Sequence, residues 1–350
     1  MIVNRSYIQY IVVAMITIIV GLSTINRSLS EASPLVSQEK TDSQQLSSSI
    51  RHEIKMATVE LPQGQIAYKM LEYKMIDKQN QVTDITPRYS RQATIPGPTI
   101  VVTEGDSVKL TLLNEMDNGM VSIHTHGVHY KITNDGTLKE INQVSDQGAT
   151  PENSVTYEWD AANGTVGSWP FHDHTLAKNT FGKNMNGLET LGLFATVIVN
   201  PADGKVNALI NGIPEQVNIQ DIDKEFVLYV TDDVFWVDEI DNSNNYTHTP
   251  LWMNPTLVAA NNDTVRFHLL SIGNEFHNFV LDGYQWLKPG TNKLISSQII
   301  GPLENHVFTI SSDKDSQYFD TTEINLLAGM KGKFEVNSDG GTSIPGAPPL

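Results

Sequence analysis

The most informative absence in this 350-residue sequence is cysteine, of which there is none. Disulfides, thiolate zinc sites and cysteine nucleophiles are therefore excluded. Basic residues are also scarce, because 23 Lys and Arg stand against 40 Asp and Glu, giving a formal net charge of −17. Such a field repels phosphate backbones and argues against nucleic acid as a partner. No stretch shows a helical period longer than about two turns, which argues against an α-helical fold.

The N-terminus carries an export signal. An apolar run from Ile11 to Leu22 follows Arg5. A basic flank with roughly a dozen apolar residues is typical of a secretory signal and is short for a membrane span. Because no small-x-small cleavage site follows, residues 1–30 are predicted to be a signal peptide or a membrane anchor. The protein is therefore expected outside the cytoplasm, either secreted, periplasmic or anchored facing outward.

Composition divides the rest of the chain. Residues 31–56 are rich in Ser, Gln, Glu and Lys and are predicted to be a polar linker. From residue 57 onward, short β-branched runs alternate apolar and polar residues between Gly, Pro, Asn and Asp, which predicts an all-β fold. The clearest runs are Thr99–Thr103, Ser107–Leu113, Thr156–Trp159, Leu193–Val199, Phe226–Thr231, Thr264–Leu270, Val307–Ile310 and Lys333–Val336. Two β-sandwich or barrel domains are predicted, at 57–200 and 201–337, with a Gly/Pro-rich tail at 338–350.

The two predicted domains resemble each other. The segment Glu104-Gly-Asp-Ser-Val-Lys-Leu-Thr-Leu-Leu113 is echoed by Asn262-Asp-Thr-Val-Arg-Phe-His-Leu-Leu270. In each half, a histidine-bearing strand follows within about a dozen residues, and a Gly-led apolar strand comes last. The sequence therefore predicts two related halves.

Two His-x-His pairs are the main candidate for chemistry. They are His124/His126 and His172/His174. Residues i and i+2 of a strand point to the same face, roughly 6–7 Å apart, so both imidazoles can bind one metal or two neighbouring metals. Neutral imidazole suits copper, zinc, iron or nickel. Alternatively, these histidines are polar residues on the outer face of a strand. That explanation accounts more easily for one His-x-His pair than for two. His129 breaks the spacing and is the weaker candidate.

The segments around these pairs resemble domain 1 of the two-domain multicopper oxidases, in particular the small laccases of three subunits. The segments are Ile123-His-Thr-His-Gly-Val-His-Tyr130, Asn134-Asp-Gly136 and Trp169-Pro-Phe-His-Asp-His174. The likeness runs from about residue 95 to residue 345 and covers most of the folded chain. It implies two cupredoxin-like Greek-key domains, copper as the cofactor and a homotrimer.

The resemblance also implies individual roles. In that family the pairs supply half of a three-copper cluster, and the second domain of a neighbouring subunit supplies the rest. The implied ligands are His124 for the type 2 copper, and His126, His172 and His174 for the type 3 pair. Asp135 matches an acid that helps to deliver protons, and Tyr130 matches a tyrosine close to the cluster. Taken alone, Asp135 equally suits a turn and Tyr130 the edge of a core.

The second half departs from the family pattern. His277 matches a type 1 copper ligand, but Val280 and Asp282 replace two cluster ligands. The His-Cys-His motif of the family falls on Phe319-Asp-Thr321, and its next histidine falls on Asn325. Met330 retains the axial position. Without the cysteine a type 1 centre cannot form, so His277 and Met330 are interpreted as packing remnants.

Three functions remain open at this point. The leading one is a copper-dependent oxidoreductase of altered type, in which a small-molecule substrate or a small redox protein meets the copper of domain 1 directly. Asp135 would relay protons, with Tyr130 nearby. The alternatives are a non-catalytic copper-binding or delivery protein and a structural pseudoenzyme. Ordinary laccase activity is not expected, because the type 1 copper and its electron path are absent.

Overall fold

The computed structural model describes residues 49–62, 64–137, 148–175, 191–242 and 247–348. The predicted export segment, 1–30, lies outside the described residues, as does the predicted linker up to residue 48. Within the described ranges, no helix is long and apolar enough to cross a membrane.

Twelve strands of the described chain make up the first half. They are β1 Arg51–Glu60, β2 Ile66–Ile76, β3 Val82–Asp84, β4 Ile100–Thr103, β5 Ser107–Asn114, β6 Val121–Ser122, β7 His124–Thr125, β8 His129–Tyr130, β9 Gly148–Ala149, β10 Ser154–Asp160, β11 Gly167–His172 and β12 Phe194–Asn200. Two 3₁₀ turns, Thr86–Arg88 and Ile132–Asn134, interrupt them.

The first half is a sandwich of two sheets. The strand orders are β3-β2-β1-β5-β10-β8 and β4-β12-β11-β7, and β6 pairs with β9. Strand β5 shows the alternation that builds this sandwich, since Val108, Leu110 and Leu112 are buried, whereas the residues at 107, 109, 111 and 113 are not. They join one core with Trp159 of the first sheet and Phe171 of the second.

Fourteen strands and one short helix of the described chain make up the second half. They are β13 Lys205–Ile210, β14 Ile213–Asn218, β15 Lys224–Val230, β16 Phe235–Asp241, β17 Thr247–Met253, β18 Thr256–Ala260, β19 Thr264–Ser271, β20 His277–Leu281, β21 Trp286–Leu287, β22 Leu294–Ile295, β23 Ser297–Ile300, β24 Asn305–Ser311, β25 Ser316–Asp320, α1 Glu323–Ala328 and β26 Lys331–Asn337. A 3₁₀ turn spans Ile219–Asp221.

The second half repeats the topology of the first. Its large sheet has the order β14-β13-β24-β19-β15-β16-β17, and its smaller sheet has the order β18-β26-β25-β20-β23. The run β2-β1-β5-β10 corresponds to β16-β15-β19-β24, and β4-β12-β11-β7 corresponds to β18-β26-β25-β20. The parallel pairs also correspond, because β1·β5 matches β15·β19 and β12·β4 matches β18·β26. The prediction of an all-β, cupredoxin-like fold is confirmed.

A third apolar cluster joins the two halves. Strands β12 and β15 are buried on both faces, which explains their nearly continuous apolar sequence. In β15, Phe226 and Leu228 face the core of the second half, whereas Val227 and Tyr229 face the joint. From the first half, Phe194 and Ile198 of β12 complete this joint.

Two boundaries differ from the sequence predictions. Strand β1 begins at Arg51, so the last six residues of the predicted linker, 51–56, belong to the sheet. The predicted tail is also attached, because Ile344 bridges to Thr256 and Ala347 bridges to Met253. Ser343 is buried and donates to Glu239. Gly and Pro hide this attachment in the sequence, since they show no apolar period.

Candidate metal centre

The smaller sheet of the first half brings the two His-x-His pairs together. Strand β7 pairs with β11, and His172 stands directly opposite His124. The ring centroid of His124 lies 4.7 Å from His126, 5.9 Å from His172 and 5.3 Å from His174. Four imidazoles from two segments therefore form one cluster.

A turn at Gly127, which packs against Trp169, places His126 in this cluster. Gly127 follows it with φ +68°, and a Cβ at Gly127 would lie 1.8 Å from the ring of Trp169. Any side chain at Gly127 would therefore push against the strand that carries His172. Trp169 is held in turn by a 2.7 Å hydrogen bond from its Nε1 to the carbonyl of Thr165.

Hydrogen bonds orient two of the four rings. His124 Nδ1 lies 2.8 Å from Asp135 Oδ1, and His172 Nδ1 lies 3.0 Å from the carbonyl oxygen of Asp173. Since both partners accept, each Nδ1 carries the proton and each Nε2 presents its lone pair. This is the tautomer that a metal-binding imidazole needs when it binds through Nε2.

The described residues fit a histidine-bound metal in part. They contain no group of three or more His, Cys, Asp or Glu side chains already arranged around one metal position. However, the Nε2 atoms of His126 and His172 are 3.1 Å apart, with their rings stacked within 5° of parallel. Two ligands of one metal ion, each bonded at about 2.0 Å, adopt such a separation. Imidazole nitrogen is also a donor that suits copper.

The imidazoles of the cluster are in the neutral form that can bind a metal cation. Burial, reinforced by the neighbouring imidazoles, lowers the pKa of His126 to about 3. Burial also lowers the pKa of His124, although the Asp135 carboxylate opposes this. Both rings are therefore neutral at neutral pH, which is the form that binds metal.

Asp173, which lies between the paired histidines His172 and His174, connects the two histidine segments. It is fully buried and accepts hydrogen bonds from the Ser122 amide (2.8 Å) and from the amide and hydroxyl of Thr175 (2.9 and 2.6 Å). Burial raises its pKa to about 6, although these hydrogen bonds oppose the shift. A charged residue between two histidines on a strand end points away from them, which is the signal that would have identified it.

The other predicted residues take different places. Asp135 contacts His124 directly, and its Oδ2 accepts from the Thr137 hydroxyl at 2.8 Å. Tyr130 is half-buried, with its ring 6.0 Å from that of His124. His129 is exposed and pairs with Asp160 across β8 and β10, so it lies on the surface.

In the second half, the position that the family pattern gives to type 1 copper is closed by hydrogen bonds. His277 Nδ1 lies 2.9 Å from Asp320 Oδ2, which also accepts from Asn325 Nδ2 at 2.9 Å. Asp320 Oδ1 accepts from the amide and hydroxyl of Thr322. Met330 is fully buried in the core. A carboxylate thus stands where the family pattern places its cysteine, and it contacts the histidine directly.

Comparisons with known proteins agree with this geometry. Residues 77–203 match the family model of the multicopper oxidases, and this range contains every residue of the cluster. A probable nitrite reductase-hydroxylamine oxidoreductase fusion protein from Kuenenia stuttgartiensis is 32% identical over 222 residues. That match covers 61% of this chain and 24% of the relative, so the chain spans about a quarter of that protein. Laccase-1 from Melanocarpus albomyces is 40% identical over 88 residues, which are 24% of this chain and 13% of the laccase.

Solved structures show the same fold. A copper nitrite reductase from Nitrosomonas europaea matches with a TM-score of 0.54 and 17% identity, over 83% of this chain and 95% of its own. A multicopper oxidase matches with a TM-score of 0.51 and 19% identity, over 82% and 88%. The family model is one of copper oxidases, and the nitrite reductase structure is named a copper protein, in agreement with the predicted cofactor. Residues 77–203 of this chain, which has a cupredoxin-like fold, therefore match the multicopper oxidase family model, and the chain has no cysteine for a type 1 copper centre.

Proposed function

We propose that this protein is a copper-binding oxidoreductase that uses histidine-bound copper in its first half and has no type 1 copper. One contrast between the two halves carries the proposal. The four imidazoles of the first half are clustered, with ring separations between 4.7 and 5.9 Å. At the positions that match in strand register, the second half has Val280 opposite Phe319 and no histidine, and the neighbouring His277 and Asp320 hydrogen-bond to each other.

His124, His126, His172 and His174 would hold the metal. When bound, copper supplies one-electron redox chemistry at these nitrogens. Asp135 orients His124 through Nδ1 and keeps the opposite nitrogen unprotonated. The side chain of Asp135 is 14% exposed, so a proton on it can exchange with solvent, which suits a proton relay. Tyr130 lies beside His124 and would border the substrate.

Electrons would reach the copper of the first half without passing through a type 1 centre. A small molecule or a small redox protein would therefore exchange electrons there directly. The relative from Kuenenia stuttgartiensis makes nitrite and hydroxylamine the first substrates to test, ahead of phenols. Ordinary laccase turnover is not part of the proposal.

A second candidate function is copper binding without turnover, for buffering or delivery. It is favoured by the closed His277–Asp320 contact, since this removes the electron entry point of the family. A third, a structural pseudoenzyme, requires that the histidine cluster stay empty in the presence of copper. The three candidates differ in copper content and in turnover, so one set of measurements separates them.

The test is copper content and the copper EPR spectrum of the full chain after reconstitution. The comparison is a variant with His124, His126, His172 and His174 all changed to alanine, and the matched control is the exposed His129→Ala. We expect one or two copper ions without a type 1 signal, lost in the fourfold variant and kept in the control. Copper without turnover of nitrite, hydroxylamine or phenols would support the second candidate. A copper-free chain would leave the third.

We further propose a homotrimer located outside the cytoplasm. The trimer is proposed from the resemblance to the small laccases, in which the second domain of a neighbouring subunit completes the cluster. The location is proposed from the apolar run between Ile11 and Leu22. Light scattering of the purified full chain and fractionation of expressing cells test these two statements separately.

A further inference from the structure

A cavity lined by residues of both halves has a charge opposite to that of the molecule. It measures about 340 Å³ and lies beside β13, β19, β24 and the loop after β21. Lys205, Arg266 and Lys288 line it, and no described residue in its lining is acidic. In a chain with 40 acidic and 23 basic residues, a lining of this size without a carboxylate stands out against the composition.

Arg266 contributes little of the positive charge at this cavity. It is buried and donates to Asn200 at 2.9 Å and to Glu225 at 3.4 Å, so a carboxylate balances it. Lys205 and Lys288 are exposed and form no ion pair with a described residue. These two ammonium groups therefore supply the unbalanced positive charge.

His306 supplies a directed donor inside the cavity. The residue is only 6% exposed, and the indole Nε1 of Trp286 donates to its Nε2 at 2.9 Å. Because Nε2 accepts, the proton of the neutral ring lies on Nδ1, which has no hydrogen-bond partner among the described residues. Burial, and then the nearby Lys288 ammonium, lower the pKa of His306 to about 4, so the ring stays neutral at pH 7.

The remaining wall is apolar. Leu287 and Phe308 line the cavity, and Phe308 stacks on Trp286 with centroids 4.4 Å apart. A cavity of a few hundred Å³ with apolar walls and a few convergent polar groups is the usual form of a small-molecule site. Apolar walls beside ammonium groups suit a ligand with a charged end and an apolar body.

We propose that this cavity binds a small organic carboxylate, with the carboxylate at Lys288 and His306 and the apolar body against Phe308. The site is distinct from the histidine cluster. Gly167 lines the cavity, whereas His172 ends the same strand five residues later, about 17 Å away at 3.3 Å per residue. Binding there does not depend on copper, so the proposal stands or falls separately from the proposed function.

The test is calorimetric titration of the full chain with benzoate and butyrate, with the uncharged isostere benzamide and inorganic phosphate as comparisons at constant ionic strength. We expect saturable binding of a carboxylate, no binding of benzamide and weaker binding of phosphate. Lys288→Met should weaken the affinity about three- to fivefold, because it removes a partly exposed ion pair. His306→Leu should weaken it about tenfold, because it removes a buried donor to a charged group.

Lys293→Met is the matched control, since it removes the same charge from an exposed residue outside the lining. It should leave carboxylate affinity unchanged, and all three variants should keep the copper content of the parent chain. The proposal is overturned if neither carboxylate binds, if benzamide binds equally well, if phosphate binds more tightly, or if Lys288→Met and Lys293→Met behave alike.

Discussion

At the scale of single residues, Asp135 is the group that prepares His124 for a metal. Burial would raise the pKa of Asp135, but the Thr137 hydrogen bonds and the His124 ring lower it below its ordinary value of 3.8. The carboxylate is therefore charged at neutral pH and holds the proton of His124 on Nδ1. A charged acceptor behind a ligating imidazole also raises the basicity of the metal-binding nitrogen.

Replacing Asp135 should therefore weaken copper binding without abolishing it. Asp135→Asn keeps an oxygen acceptor but removes the charge, and we expect copper affinity to fall about tenfold. The measurement is competition of the full chain with a chelator of known affinity. Asp160→Asn, an exposed position on β10, is the control and should change little. Equal affinities for the two variants would remove Asp135 from any role in the site.

The sequence placed some of these residues and missed others for a physical reason. The four histidines follow from their i, i+2 spacing, and Asp135 and Tyr130 follow from their match to the family. Asp173 acts through Ser122, which is 51 residues away, so only the paired strands bring the two together. The position of Asp173 between two histidines indicates that it points away from them, but no local pattern identifies the distant backbone amide that it binds.

At the scale of elements, the turn after β7 depends on a residue without a side chain. Gly127→Ala combines a left-handed backbone with a clash against Trp169. Gly204 has the same φ of +68° but open space around it, which makes Gly204→Ala the matched control. We expect Gly204→Ala to cost about 1–2 kcal/mol of unfolding free energy. Gly127→Ala should cost about 1–3 kcal/mol more and reduce copper affinity. If urea unfolding gives equal losses of free energy for the two variants, Trp169 moves aside without an energetic cost.

The repeat of elements also makes the lost type 1 position testable. The side chain of His277 contacts those of Asp320 and Asn325, and Asn325 Nδ2 lies 3.5 Å from His277 Nδ1. Met330, at the family's axial-ligand position, is buried. A site of two histidines, one cysteine and an axial methionine binds blue copper. The double variant Asp320→Cys with Asn325→His should therefore acquire an intense visible band on adding copper. Asn325→His alone is the control and should stay colourless. A colourless double variant would mean that these strands no longer hold the type 1 geometry.

Strand β2 shows why part of the fold escaped sequence reasoning. Its inward residues are Ile66, Tyr68 and Met70 before a bulge, and Tyr73 after it. The shift in register moves the buried positions from even to odd numbers, so no single alternation runs through the strand. The predicted runs became β4, β5, β10, β12, β15, β19, β24 and β26, and none of these strands contains such a shift in register.

At the scale of the whole molecule, a buried polar network accompanies the apolar joint between the halves. Glu225 lies 2.7 Å from His268 Nε2 and 3.4 Å from Arg266, and Ser168 of the first half contacts His268 Nδ1. Arg266 also donates to Asn200 at the end of β12. Because Glu225 accepts at Nε2, His268 carries its proton there and accepts at Nδ1 from the Ser168 hydroxyl. The network therefore connects the two halves, and the donor and the acceptor of each hydrogen bond of His268 are assigned.

Glu225 should control both the stability of the molecule and its dependence on pH. Burial would raise its pKa, but His268 and Arg266 lower it from 4.5 to about 2. A carboxyl group whose pKa is lower in the folded state stabilises the protein above pH 4.5, and this stabilisation is lost as the pH falls towards 2. Glu225→Gln leaves Arg266 buried without its counter-charge and should cost about 3–5 kcal/mol at pH 7.

Urea unfolding of the parent chain and the Glu225→Gln variant between pH 7 and pH 2.5 measures this term. The difference in unfolding free energy between the two proteins should be constant above pH 4.5 and shrink below it, because the parent alone takes up the proton on unfolding. Glu158→Gln makes the same chemical change at an exposed position of β10 and should shift the curve by less than about 0.5 kcal/mol. A constant difference down to pH 2.5 would show that the pKa of Glu225 is the same in the folded and unfolded states. The contacts of Glu225 with His268 and Arg266 would then add no pH-dependent stability to the network between the halves.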